Sequence, residues 1–331
     1  MKFVPKILVL AAAVCAIGAQ AADPKLALVY GSGGKFDKSF NQSAYEGAER
    51  FKKDTKVGYL EAQVNSGAQS EQVLRQMARK NVDLVVSIGF SMTNAVTTVS
   101  KEFPNVKFMI IDDEVKGANV NSVTFKEEEG SYLVGVAAGL ASKSKKVGFI
   151  GGQDVPLIRA FGCGYAQGAK AVDAKIEITQ NMVGSTPAAW SDPAKGGELA
   201  RAQFDRGVDV VFAAAGGSGM GTLQAVKDQN KLGIGVDSNQ NPLYPGFILT
   251  SMLKRVDNAT YDGFMSVKNG TWKAGVTNKG LKEGGVDWAL DEHNRKLITP
   301  AMEARIRQAG EDIKSGKVKV VDYRAANSCP V

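Results

Sequence analysis

Short apolar runs alternate with amphipathic stretches along most of this chain, and that rhythm excludes most fold classes. Candidate strands are Leu26–Tyr30, Val57–Glu61, Leu84–Ile88, Lys107–Ile111, Ser122–Phe125, Lys146–Ile150, Ile176–Met182, Val208–Ala213, Gly233–Val236 and Phe247–Met252. Helical patterns fall between them, at Gln72–Lys80, Met92–Phe103, Gly130–Ser142, Phe161–Val172, Lys195–Arg206 and Thr222–Gln229. Strand–helix alternation dictates an α/β fold of parallel sheets with right-handed crossovers. The units are too many for one ordinary open sheet, so two sheets are expected. The best boundary lies near Thr124–Glu127, because four βα units precede it and the alternation restarts after it. Beyond Met252 the spacing predicts a helix at Val256–Lys268, a strand at Val286–Leu290, a helix at Pro300–Ser315 and a short closing strand at Lys317–Val321.

The first residues speak to compartment. Lys2 and Lys6 are followed by an apolar run, Ile7 to Gly18, too short to span a bilayer, and then by Ala19-Gln20-Ala21. That is the pattern of a cleavable secretory signal over residues 1–21. Cys15 lies inside the run behind Val14, where a lipoprotein signal needs a small residue, so it reads as discarded rather than lipidated. The formal charge of the 331-residue chain is +7. Its basic residues are scattered rather than clustered, which argues against nucleic-acid binding. Two cysteines remain, Cys163 and Cys329. In an exported chain they allow one disulfide; the alternative is a buried thiol and a frayed tail.

Ligand-type residues recur where candidate strands end. The first strand runs into VYGSGGKFDKSFNQSAYEGAERF, which places Asp37, Lys38, Ser39, Phe40 and Asn41 in a glycine-rich loop and first helical turn. Alternatively Phe40 is core and Asn41 or Ser39 caps the helix. Ser91 follows the strand Leu84–Ile88, and Asp112 follows Lys107–Ile111. Phe161 lies after Lys146–Ile150, Gly216 after Val208–Ala213, Asp237 after Gly233–Val236 and Lys254 after Phe247–Met252. In open α/β sheets that edge is where ligands bind. Asp112 and Asp113 point to opposite faces, so one is free to line a cleft while the other caps or is solvated. Glu127-Glu128-Glu129 reads as the first turn of a helix, its charges offsetting the helix dipole; a functional acidic cluster is the alternative.

Catalytic motifs are wanting. Gly216-Gly217-Ser218-Gly219-Met220-Gly221 invites a dinucleotide reading with Asp237 as ribose acid, but its glycine spacing is imperfect. No Gly-Lys-Ser/Thr follows, and Met220 interrupts a hydrolase elbow. The single histidine, His293, sits in a charged stretch that reads as a solvated loop. No cofactor, metal or catalytic group is expected.

At these residues the chain resembles the basic membrane protein family of ABC-transporter substrate-binding proteins. The resemblance is carried by Asp37-Lys38-Ser39-Phe40-Asn41-Gln42-Ser43-Ala44, by Phe108–Asp112, Val147–Gly152 and Ala214–Gly221, and by Gly235-Val236-Asp237 and Thr250–Arg255. It implies a type I periplasmic-binding-protein fold of two doubly wound lobes joined by a three-crossing hinge. The lobes are then 22–124 with 254–282 and 125–253 with 283–331. It further implies a purine-nucleoside ligand and an ABC permease as partner; the absence of a usable lipidation cysteine is a departure from the family, and with it the chain reads as a monomer free in the periplasm. Phe40 and Phe161 would sandwich the base. Asp37, Asn41 and Asp112 would read its polar edge, Asp237 and Lys254 would hold the ribose, and Gly216 would give backbone contacts. One departure is Phe36, where many members carry a second Asp. The competing expectations are an exported nucleoside-acting enzyme on the same architecture, and a sensor for another small polar, sugar-like ligand.

Overall fold

Strand β1 (Leu26–Tyr30) is buried on both faces: Leu26, Leu28 and Tyr30 join one apolar cluster, and Ala27 and Val29 another. A continuous apolar run with two buried faces is what a central parallel strand requires. The computed structural model describes residues 22–64 and 67–331. The signal-peptide reading of residues 1–21, Cys15 included, lies outside the described residues. Among the described residues no helix is long and apolar enough to cross a membrane.

The chain continues through α1 (Phe40–Thr55), β2 (Tyr59–Gln63), α2 (Gly67–Ala78), β3 (Leu84–Ile88), α3 (Thr93–Glu102), β4 (Lys107–Ile111) and β5 (Val120–Phe125). Then come α4 (Glu127–Ala141), β6 (Lys146–Gln153), α5 (Pro156–Val172), β7 (Glu177–Gly184), α6 (Pro193–Asp205), β8 (Val210–Ala214), α7 (Gly219–Asp228), β9 (Leu232–Asp237) and β10 (Ile248–Lys254). The last elements are α8 (Val256–Lys268), β11 (Gly275–Lys279), β12 (Val286–Trp288), α9 (Pro300–Lys314) and α10 (Tyr323–Ala326).

Among the described residues these strands form two six-stranded sheets, ordered β11-β5-β4-β3-β1-β2 and β12-β10-β9-β8-β6-β7. The two orders are the same arrangement written twice, each with the doubly wound reversal that opens a ligand crevice at its strand ends. The copies differ at one edge. There β11 runs parallel to β5, whereas β12 runs antiparallel to β10.

The chain passes between the sheets three times, from β5 to α4, from β10 to α8 and from β11 to β12. These crossings lie side by side, since Lys126 N donates to the Lys279 carbonyl (3.1 Å) and Arg255 N to that of Gly285 (2.8 Å). Helix α4 packs along α5, and a side chain at Gly164 would run into the Glu128 backbone. That close approach brings the first turn of α4 against the interior.

Most strand expectations agree within three residues, but two elements differ. Lys317–Val321 is not a strand. Its alternating valines are half-buried, but its backbone is held by a side chain: the Gln167 amide accepts from Val321 N (2.9 Å) and donates to its carbonyl (3.0 Å). Conversely β11, with sequence GVTNK and mostly exposed, carries no apolar signal. The Cys163–Cys329 pair is bridged, with Cα atoms 5.6 Å apart.

Candidate ligand-binding site

The strand-end loops of the two sheets face one another around a cavity. All nine expected residues line it: Asp37, Phe40, Asn41, Ser91, Asp112, Phe161, Gly216, Asp237 and Lys254. Water-sized spheres can centre in about 80 Å³ of it, several times the roughly 10–15 Å³ that one water needs. The space suits a small organic solute. Its wall is mainly apolar and aromatic, with a few polar groups, as small-molecule sites generally are.

The first helix explains two of these residues. Asp37 accepts from the backbone N–H of Ser39 (2.9 Å), Asn41 (3.0 Å) and Gln42 (3.1 Å), which caps α1. Ser39 stands at the N-cap position but its side chain makes no capping bond, nor does that of Asn41; Asp37 reaches the orphan donors from further upstream. Asn41 accepts from Gly31 N (3.1 Å) and donates to the Ser32 carbonyl (3.2 Å), tying the loop to the helix. Both side chains border the cavity while fastening its wall.

Lys254 is the centre of the site. It is 1 % exposed, and a lone buried ammonium is prohibitively costly unless paired. Its Nζ stands 2.6 Å from Asp112 Oδ1 and 2.9 Å from Glu127 Oε1. Three rings surround it, with centroids at 5.2 Å (Phe40), 5.2 Å (Phe125) and 5.4 Å (Phe161), within cation–π range. Burial opposes its charge, yet Asp112, Glu127 and Asp237 together hold its pKa above the ordinary lysine range.

Asp112 and Asp237 share an unusual backbone. Their φ values are 77° and 63°, left-handed for both, a region Asp tolerates better than most residues. Each turns its carboxylate into the cavity from the end of its strand. Burial pushes both up to about 6, against the pull of Lys254. Neighbouring Asp113 does the other job, accepting from Thr93 Oγ1 (2.5 Å) and Glu114 N (2.8 Å).

Asp237 is also joined across the cleft. Ser39 Oγ donates to its Oδ2 at 2.5 Å. Ser238 Oγ donates to the Ser39 carbonyl (2.9 Å), and Gln240 Nε2 to the Lys38 carbonyl (2.8 Å). The loop after β1 is thereby fastened to the loop after β9, and the mouth is drawn closed.

Phe161 is 3 % exposed and its ring packs towards Phe212, at 6.4 Å, so it is core and cavity floor at once. The half-buried rings on the wall are Phe40, Phe90 and Trp190, with Phe90 and Trp190 edge to face at 6.4 Å. Sequence reasoning missed Phe90 and Trp190. Trp190 had one signal, a lone large aromatic in the loop STPAAWSDP. It missed Glu127 as well. The first-turn reading of the acidic triplet holds, but Glu127 is fully buried and paired to Lys254 and Arg324. His293 and the Asp291–Glu292 carboxylates beside it do not line the cavity.

Two doubly wound lobes closing on a solute-sized cavity define a receptor of the periplasmic-binding-protein fold. More narrowly, the chain belongs to the PnrA-like family of ABC transporter substrate-binding proteins, whose model matches residues 25–322. It is 35 % identical over 321 residues to the ABC transporter nucleoside-binding protein BmpA of Lactococcus lactis, covering 90 % of this chain and 89 % of that one. It is 32 % identical over 311 residues to basic membrane protein A1 of Borrelia garinii, covering 91 % and 88 %. Among solved structures it resembles an ABC transporter solute-binding protein of Aeropyrum pernix, with a TM-score of 0.83 at 28 % identity over 90 % of this chain and 93 % of that one. The protein is therefore an extracytoplasmic substrate-binding protein of an ABC transporter.

Proposed function

We propose that the protein is a free periplasmic monomer that takes one purine nucleoside into the cleft and presents it, unchanged, to an ABC permease. The carrying observation is one cavity that combines half-buried rings with two carboxylates and an ammonium. Rings accept the flat face of any purine. Carboxylates accept hydrogen bonds from sugar hydroxyls and base N–H groups, and such charge-assisted bonds are strong. In this reading Phe40 stacks on the base, with Phe161 behind and Phe90 and Trp190 along the wall. Asp237 and Lys254 take the ribose, Asp112 reads a polar edge, and Ser91 and Gly216 add local contacts. The moving bodies are the two sheets with their helices; the bounds expected at 125 and 254 each shift by one residue, since Phe125 ends β5 of the first sheet and Lys254 ends β10 of the second. The nucleoside-binding name of the L. lactis relative supports the ligand class.

Calorimetry with adenosine, guanosine, inosine, free sugars and amino acids tests this. Saturable heat with a purine nucleoside at one per chain is expected. Heat with a sugar or amino acid alone would overturn it. Steady release of free base from bound nucleoside would replace the receptor by an enzyme.

A further inference from the structure

Behind the cavity, buried charge continues from Lys254 to the C-terminal tail. Glu127 is 0 % exposed and divides its carboxylate. Oε1 faces Lys254 Nζ at 2.9 Å, and Oε2 faces Arg324 Nη1 at 2.8 Å. Arg324, on α10, also reaches Glu128 (3.2 Å) and Asp322 (3.0 Å) and donates to the Phe125 carbonyl (3.1 Å). Phe125 and Glu127 flank the first crossing between the sheets, and Lys254 leads into the second. One guanidinium thus grips both backbone and side chain of a hinge strand. The tail carrying it is itself held. Cys329 is bridged to Cys163 on α5, two residues from Phe161, and Val321 is held by Gln167.

The charges do not balance locally. Lys254 and Arg324 stand among Asp112, Glu127, Glu128, Asp237 and Asp322. Without Arg324, Glu127 keeps a single cation and competes with Asp112 for it. A buried carboxylate that loses a partner pulls hard on the one remaining. We propose that Glu127 and Arg324 are positioning residues for Lys254, so that the disulfide-anchored tail sets from outside the cavity where the ammonium stands. The effect on solute affinity rests on the reading that Lys254 meets the solute.

The test uses the full-length, oxidised protein and the variants Arg324→Met, Arg324→Lys and Glu127→Gln. Each is titrated with adenosine, guanosine and inosine well below its melting temperature. Arg324→Met is expected to weaken the wild type's best nucleoside roughly tenfold, the scale of one charge-assisted contact, and Arg324→Lys to recover most of the loss. Glu127→Gln keeps the shape and loses the charge, and moves affinity in the same direction. A lowered melting temperature with unchanged affinity overturns the inference. A second readout needs no solute: the ¹⁵N signal of the buried Lys254 ammonium shifts in Arg324→Met and returns towards wild type in Arg324→Lys. An unmoved signal overturns the inference whatever the cleft binds. A shifted signal with no heat from any nucleoside upholds the positioning role and overturns only the ligand class.

Discussion

Asp112 and Asp237 occupy the same place in two copies of one architecture. Each ends the strand third from the edge of its sheet, each has left-handed φ, and burial pushes each up to about 6. Their partners differ in kind. Asp112 is paired with Lys254 at 2.6 Å, a bridge between the sheets at the hinge end of β10, beside the second crossing. Asp237 bonds Ser39 across the mouth, a contact that exists only while the lobes stand together. Alike in backbone, one carboxylate is paired with a buried ammonium and the other with a hydroxyl across the cleft. In the proposed reading both meet the solute, Asp112 from beside the hinge and Asp237 from the mouth.

Removing the shared cation should break the comparison most severely. Lys254→Met leaves Asp112 and Glu127 buried without their common partner, which costs roughly 3–5 kcal/mol. Urea unfolding at neutral pH is expected to show that loss, together with loss of solute binding. A variant as stable as wild type would mean that water reaches these carboxylates.

The two aspartates should then separate by readout. Asp237→Ala is expected to weaken solute affinity by about 1.5–3 kcal/mol, roughly ten- to a hundred-fold, with little change in melting temperature. Asp112→Asn is expected to lower the melting temperature, because it breaks a buried ion pair. Parallel calorimetry and thermal unfolding on both variants decide the matter, and equal effects in both readouts would erase the distinction.

A pH series sharpens it further. The folded-state pKa of Asp237, about 6, lies above the ordinary carboxylate range near 4, so the folded protein holds that proton more tightly than the unfolded chain. The resulting stability is fully present below about pH 4 and is lost as the pH rises through about 6. The urea midpoint should therefore fall across that window less steeply in Asp237→Asn than in wild type. Identical slopes would place the titration elsewhere. The smallest effect is expected of Ser39→Ala, which removes one cross-cleft hydrogen bond worth about 0.5–1.5 kcal/mol and so weakens affinity a few-fold. Small-angle scattering should show a more open average shape before solute is added.

The same contrast explains what could be read from the chain alone. Strands β1, β3 and β4 match their expected limits because continuous apolar runs can end only where burial ends. Knowing where strands end was enough to gather Ser91, Asp112, Gly216, Asp237 and Lys254 at one edge, since the cavity is built from that edge. Partnership was not legible. Nothing local distinguishes Glu127 from Glu128 and Glu129, and which of them meets Lys254 depends on helix packing and on a tail almost two hundred residues away. That Asp37 also fastens the start of α1 was not legible, because the sequence does not reveal that the N–H groups of Ser39, Asn41 and Gln42 claim its oxygens. Strand β11 was invisible because an exposed edge needs no apolar residues. Lys317–Val321 looked like a strand because a glutamine amide satisfies its backbone as a neighbouring strand would.

The interleaving of the two sheets carries a consequence for how the molecule comes into being. A chain made from its N-terminus onward emits β1 to β5 early, but the sheet they belong to lacks its last strand until residue 279 has emerged. The other sheet waits for residue 288. The tail contacts come later still: Arg324 and Cys329 close on partners made about two hundred and about 166 residues before them. A chain stopped before residue 279 leaves both sheets wanting, although most of its strands are already made. The order of manufacture thus delays the buried centre, since Arg324, which braces Lys254 through Glu127, is made after every strand of both sheets.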